Sequence, residues 1–409
     1  MHPRTLLTLP LLASVLLSPV QSAPDSPVAA EPTAFWVGTW ATSPQPLEPK
    51  DLPPAPGLSH NTLRQIVQVS IGGARLRVRL SNFFGAGPVT VAALEIARAA
   101  DGSAIQTDTS RTVTFQGGTS VTLAPGTECS SDPVPFEIAP LSELAVTIRF
   151  GDAPKSVTGH PGARCTSYLQ PGDAVTEPRL PGAVEFPHWY VLTGIDVEGD
   201  HEAAAVAVVG DSITDGRGST TDRNRRWTDD LARCLQADSR TNHVGVLNEG
   251  IGGNRLLHDG LGPNALSRLD RDVFAQSGVR WLVLLEGVND IGTGPPDDKG
   301  AIAREVIGAY EEIIRRAHAH HLRVYGATIT PFGKSFYSTP AREDARQTVN
   351  RWIRTNGQFD AVIDFDAAVR DPADPSCLAA SFDIGDHLHL SDAGYEVMAR
   401  VVDPMLFSR

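Results

Sequence analysis

From Ala204 onward the chain alternates unbroken apolar runs with stretches of helical spacing, and few folds accept that rhythm. Ala204 to Val209 is apolar at every position and runs into Gly210. Val244 to Leu247, Trp281 to Leu285, Val324 to Thr330 and Ala361 to Phe365 read as further strands. Between them, helical spacing covers Trp227 to Leu235, Leu266 to Phe274, Ile302 to His320 and Arg342 to Thr355, with a last helix from about Asp392 to Leu406. A strand that is apolar throughout is buried on both faces, which a parallel sheet covered by helices provides. Such sheets place ligand sites at the carboxyl ends of their strands.

The preceding region has a different grain. Ile66 to Ile71, Ala74 to Leu80, Val89 to Ile96, Thr112 to Phe115, Ser120 to Leu123 and Leu144 to Phe150 are short strands broken by Gly, Pro and Asn. Arg75-Leu76-Arg77-Val78-Arg79-Leu80 alternates strictly, so one face of its sheet is wet and the other buried. An antiparallel sandwich or jelly roll is expected over 35–199, then an α/β domain over 203–409, with the Pro-rich stretch from Pro171 to Pro187 as a link. A length of 409 residues suits two domains. No internal repeat or low-complexity run is evident.

Met1 to about Ser22 combines Arg4, the apolar run Leu6 to Leu17 and small residues, the pattern of a signal peptide, with cleavage after Ser22 the best fit and a site after Ala30 the other candidate. A secreted or periplasmic protein is expected. A net charge of −13 without a Lys/Arg cluster disfavours a nucleic-acid partner. No internal stretch is apolar enough for a membrane span, so stable membrane insertion is not expected. Cys129, Cys165, Cys234 and Cys377 are too scattered for a metal site. In an oxidising compartment they could pair as Cys129 with Cys165 and Cys234 with Cys377, each pair inside one domain, with free buried thiols as the alternative.

Four motifs follow predicted strands in order. Gly210-Asp211-Ser212-Ile213-Thr214 puts Ser212 in the turn leading to a helix, where a nucleophile would sit if a base were near. Thr214 stands where G-x-S-x-G has its second glycine, so this is not the α/β-hydrolase elbow. Asn248-Glu249-Gly250-Ile251-Gly252-Gly253-Asn254 is a loop whose backbone N–H groups can approach a ligand. Glu286-Gly287-Val288-Asn289-Asp290 offers a side-chain amide to a developing oxyanion. In Asp386-His387-Leu388-His389 a carboxylate three residues before an imidazole can reach its Nδ1 within one turn. His387 is a rival base and Asp392 a rival carboxylate. Each motif alone is an ordinary turn or cap. Together they supply nucleophile, oxyanion donors, base and orienter.

With these four motifs, the chain from about Val206 to Met405 resembles the GDSL, or SGNH, hydrolase family, whose motifs carry Ser, Gly, Asn and His. The resemblance implies a flavodoxin-like parallel sheet. It implies Ser212 as nucleophile, with its own N–H, the Gly253 N–H and the Asn289 side chain forming the oxyanion hole. It implies His389 as base and Asp386 as orienter, in preference to His387. Leu390 departs from the proline that often follows the histidine. Trp36-Val37-Gly38-Thr39-Trp40, Thr62-Leu63-Arg64-Gln65 and Arg79-Leu80-Ser81-Asn82 also look like secreted members with an N-terminal β-domain, a subgroup similar to arylesterases and carbohydrate acetylesterases.

The implied reaction needs no cofactor: Ser212 attacks an ester carbonyl, His389 takes the proton, and water then clears the acyl-enzyme. Activity is expected to fall in acid with a midpoint near 6.5, shifted upward beside an ionised Asp386. The loops Asp215 to Arg226, His258 to Asn264 and Gly292 to Gly300 are polar and Gly-rich, which points to a shallow acyl slot, to acetyl or other short esters and to a polar alcohol side, while the resemblance implies carbohydrate or aryl esters. Lysophospholipase, longer-chain lipase or acyltransferase activity is the alternative within enzymes. A glycan-binding protein is the alternative outside them, with Trp36 and Trp40 stacking on sugar rings unless they are packing residues.

Overall fold

The computed structural model describes Met1 and residues 35–295, 300–355 and 357–408. The segment read as a signal peptide lies outside the described residues, apart from Met1. Residues 35–409 form one compact unit.

The α/β part is a five-stranded parallel sheet in the order Val244–Gly250, Ala204–Gly210, Val279–Leu285, Arg323–Ala327, Ala361–Ile363. Numbered along the chain this is the 2-1-3-4-5 order of flavodoxin-like sheets. The apolar runs have the physical cause expected of them, since alternate residues face opposite cores. Ala207, Val209, Leu282 and Leu284 pack beneath the helices Ala301–Ala319 and Pro340–Thr355. Val206, Val208, Trp281 and Val283 pack beneath Trp227–Gln236 and Asp392–Arg400. The region predicted helical over Leu266 to Phe274 is Ala265–Leu269 followed by one wide π-type turn, and the predicted strand end at Phe365 opens the short helix Phe365–Val369.

The β region has two large antiparallel sheets around one apolar core, with a two-stranded ribbon of Gly159–His160 and Trp189–Tyr190 beside them. One holds Phe35–Ala41, Leu192–Gly199, Gly73–Ser81 and Glu128–Ser130, with Val134–Ile138 also on Gly73–Ser81. The other centres on Thr62–Gln68, Glu143–Phe150 and Val89–Arg98. The Pro-rich stretch from Pro171 is not a free link: Val184–Phe186 pairs with Ser167–Gln170, and Leu192–Gly199 lies inside the first sheet. Ala174, Leu180 and Phe186, whose burial ties this stretch to the sandwich core, outweigh the local prolines.

The two parts share a core. Leu247 and Ala205 of the parallel sheet belong to the sandwich's apolar cluster, and Ser70 Oγ accepts the Val246 N–H at 2.9 Å. The backbones come so close at Gly38 and Gly245 that a Cβ on Gly245 would lie 2.1 Å from the Gly38 carbonyl oxygen. The sandwich thereby covers the edge strand Val244–Gly250, which would otherwise offer an unpaired apolar edge.

All four cysteines are free thiols, which corrects the expected pairings. Belonging to the same domain did not make them neighbours. Cys129 lies opposite Leu80 in the sheet, Cys165 beside Asp222 and Arg226, Cys234 near Arg400, and Cys377 against Asp374 and Gly333. Burial pushes the Cys129 thiol up to about 11, so it is poorly reactive near neutral pH.

Candidate active site

The strand Ala204–Gly210 turns sharply at its carboxyl end, where a Cβ on Gly210 would lie 2.1 Å from Thr214 Oγ1. Asp211 then caps the turn Ser212–Asp215 by accepting the Ile213 N–H at 2.8 Å. Ser212 is thereby fixed at the first helical position, buried except for 5% of its surface. Its Oγ lies 2.8 Å from His389 Nε2, and His389 Nδ1 lies 2.6 Å from Asp386 Oδ2. An ionised Asp386 requires the proton on Nδ1, which leaves Nε2 as the acceptor of the serine proton.

The three-residue spacing of Asp386 and His389 closes as a single turn. Asp386 Oδ1 accepts the backbone N–H groups of Leu388 and His389 at 3.1 and 2.9 Å, so the carboxylate that orients the ring is oriented by the ring's own segment. Partial burial alone would raise Asp386, but these bonds and the imidazole hold it below its ordinary value. The rivals are placed elsewhere. His387 bonds Asp383 at 2.5 Å with its side chain 43% exposed, and Asp392 accepts from the N–H and hydroxyl of Thr220.

Gly253 adopts a left-handed φ of 71°, and among the described residues no backbone partner takes its N–H. The loop beyond it is held by Asp290, whose carboxylate accepts the Leu256 N–H at 2.9 Å. Asn289 is buried, donates from Nδ2 to the Asn254 carbonyl at 2.8 Å and accepts from the Tyr337 hydroxyl at 3.0 Å. Ser212, Gly253, Asn289 and His389 all line one cleft of about 360 Å³.

The remaining walls of this cleft carry no sequence signal of spacing or period. Gln45 to Asp51, Pro161 to Arg164 and His188 come from the β region, and Leu261, Phe336 and Tyr337 come from loops of the parallel sheet. Of the three loops expected to surround the serine, two contribute, through Asp215, Arg217 and Leu261, while none of Gly292 to Gly300 lines the cleft among the described residues. Asp215 is gripped from the β region: His160 Nε2 lies 2.9 Å from Oδ1, and Arg164 donates to Oδ2 at 3.0 Å. Burial alone would raise Asp215, but Arg164 and His160 hold it below its ordinary value. Trp40 packs edge-to-face on Trp189 at 4.9 Å, and the Arg77 guanidinium lies 4.8 Å from the Trp36 ring. Neither tryptophan lines the cleft. Among the described residues no group of His, Cys, Asp and Glu could hold a metal ion, and no helix is long and apolar enough to cross a membrane.

Residues 208–397 match the model of the GDSL-like Lipase/Acylhydrolase family. No curated protein matches the chain. Among solved structures, an acetyl xylan esterase is 22% identical over 48% of this chain and 96% of its own, with a TM-score of 0.37. A GDSL-like lipase from Bacteroides thetaiotaomicron is 19% identical over 50% of this chain and 87% of its own, with a TM-score of 0.34. A carbohydrate acetylesterase family member from Sinorhizobium meliloti is 17% identical over 50% of this chain and 97% of its own, with a TM-score of 0.36. With the serine, glycine, asparagine and histidine motifs falling inside the matched segment, residues 208–397 are a domain of the GDSL-like lipase/acylhydrolase family, and the protein is a carboxylic ester hydrolase.

Proposed function

We propose that the protein removes short acyl groups, acetyl foremost, from carbohydrate or aryl esters through an acyl-enzyme on Ser212. The observation that carries this reading is the unbroken relay from Asp386 through His389 to Ser212, opening on a cleft. His389 takes the hydroxyl proton as Oγ attacks the carbonyl, then returns it to the leaving alcohol. Water, deprotonated by the same imidazole, releases the acid. The N–H groups of Ser212 and Gly253 and the free N–H of Asn289 meet the oxyanion at both tetrahedral stages, and their fixed placement means that little reorganisation accompanies the charge. An export signal at Met1–Ser22 would put this reaction outside the cytoplasm.

Short acyl preference follows from the lining. Each methylene of a longer chain needs apolar surface to gain roughly 0.8 kcal/mol. Leu261, Leu388 and the two aromatics Phe336 and Tyr337 are the large apolar side chains of the cleft, while Glu48, Lys50, Asp51, Arg164 and Arg217 make much of the rest. That polar rim suits the alcohol side of a sugar ester better than an alkyl chain. Across p-nitrophenyl acetate, butyrate, octanoate and decanoate, kcat/KM should be highest at acetate and fall at each step. A maximum at octanoate or beyond would overturn the acetylesterase reading in favour of a lipase.

The acid limb of the pH profile is also set here, and its direction differs from the sequence expectation. Burial lowers the His389 pKa below its ordinary value of 6.5, with Arg217 and Arg164 adding to the effect. The Asp386 contact raises it, but by less. The neutral base therefore persists into mild acid. The midpoint of kcat/KM between pH 4 and 8 should lie below 6.5, and a midpoint above 7 would show that Asp386 outweighs burial.

A further inference from the structure

A side-chain amide has two N–H donors and one carbonyl acceptor. In Asn289 one donor is taken by the Asn254 carbonyl and the acceptor by the Tyr337 hydroxyl, so a single N–H remains for the cleft. The position of Tyr337 is built into the fold. Gly292 shares the short helix Val288–Thr293 with Asn289, and a Cβ on it would lie 2.4 Å from carbons of the Tyr337 ring. Arg342 joins the two segments, donating to the Tyr337 carbonyl at 3.2 Å and to the Gly294 carbonyl at 2.7 Å. The Tyr337 N–H in turn donates to Ser335 Oγ at 3.2 Å. Burial pushes the phenol above its ordinary value, so it stays a donor through the working range of the enzyme.

We propose that Tyr337 is a positioning residue for ester hydrolysis, its hydroxyl holding and polarising the Asn289 amide so that the one free N–H meets the developing oxyanion. This rests on the reading of Asn289 as an oxyanion donor. An amide turned by 180° would set Oδ1 against the Asn254 carbonyl oxygen and present a lone pair, not a proton, to the negative charge. The Asn254 carbonyl, which can only accept, opposes that flip, and the Tyr337 hydroxyl anchors the far side of the amide. It also draws electron density from Oδ1, which strengthens the remaining N–H as a donor. The Tyr337 hydroxyl acts on the transition state through Asn289, so its loss, with the ring kept as a wall of the cleft, is felt in kcat and only where Asn289 is present.

The test is a cycle of Tyr337→Phe, Asn289→Ala and the double variant, assayed with p-nitrophenyl acetate. Tyr337→Phe should lower kcat about tenfold with KM within about twofold, a modest share of the roughly 10²- to 10³-fold lost with an oxyanion donor. Asn289→Ala should show that full loss, and the double variant should be no slower than Asn289→Ala. Tyr337→Phe within twofold of the parent beside an impaired Asn289→Ala, or losses that multiply in the double variant, would overturn the proposal. Full activity in Asn289→Ala would instead remove the reading on which it rests.

Discussion

Ser212→Ala should lose roughly 10⁴- to 10⁶-fold in kcat on p-nitrophenyl acetate while unfolding with the parent protein. The hydroxyl makes one hydrogen bond, to His389 Nε2, and its removal leaves an imidazole that can still donate through Nδ1 to Asp386. One lost bond of this kind is worth about 1 kcal/mol. The cost in rate is far larger, because members of a relay act as a unit: without the nucleophile neither the base nor the oxyanion donors have a covalent step to assist. His389→Ala should match it to within about tenfold. His387→Ala should stay close to the parent, since that ring faces Asp383 and solvent, away from the serine. Purified variants assayed beside a mock purification separate these outcomes from background esterase. Ser212→Ala above one tenth of parental activity, or His387→Ala slower than His389→Ala, would sink the assignment of roles.

That contrast between two histidines also marks how far the sequence reaches. Two imidazoles stand two residues apart, each with a carboxylate at its Nδ1. Chemistry alone left both open, and the family resemblance pointed to His389. In the folded chain the distinction is burial. The segment at Asp383–Leu390 turns His389 inward, 3% exposed, and His387, at φ 60°, outward. Motifs that follow strand ends were legible for a related reason: the parallel sheet brings all carboxyl ends to one edge, so order along the chain becomes proximity in space.

What stayed hidden was whatever depends on packing between distant segments. His160 and Arg164 grip Asp215, three residues beyond the serine, from positions 55 and 51 residues away in the chain. Tyr337 reaches Asn289 across 48 residues. None of these side chains stands in a pattern, since a residue that meets its partner once, at a turn, has no period to display. The strands Phe35–Ala41 and Leu192–Gly199 escaped for a different reason. Glycines at 38 and 194 interrupt their alternation, yet Gly38 is where the parallel sheet comes nearest, and a Cβ on Gly194 would lie 2.3 Å from the Arg79 guanidinium. Signals of a break in a strand were here signals of close approach.

The contact between the sandwich and the parallel sheet is also where the largest loss of stability is expected. Arg268 is fully buried, and its guanidinium donates to Ser43 Oγ, the Glu249 carbonyl, Asp272 Oδ2, Asn254 Oδ1 and the Gly210 carbonyl. Ser43 belongs to the sandwich side, Gly210 precedes the turn that carries Ser212, and Asn254 carries the carbonyl that receives Asn289. One cation thus joins the sandwich to the segments that carry the proposed oxyanion donors. Burial alone would raise Asp272, but Arg271 and Arg268 hold it below its ordinary value. Its stabilising share is therefore present above about pH 4 and is lost as the pH falls through the lowered value. Arg268→Ala leaves these acceptors buried and short of a donor, a type of change that costs about 3–5 kcal/mol. Arg268→Met keeps most of the volume and should cost nearly as much, which separates lost hydrogen bonds from a cavity. Arg315→Ala, at a pair whose side chains are 68% and 42% exposed, should unfold with the parent. Urea unfolding at pH 7 reads all three, and Arg268→Met unfolding with the parent would show that the buried network holds together nothing that packing does not already hold.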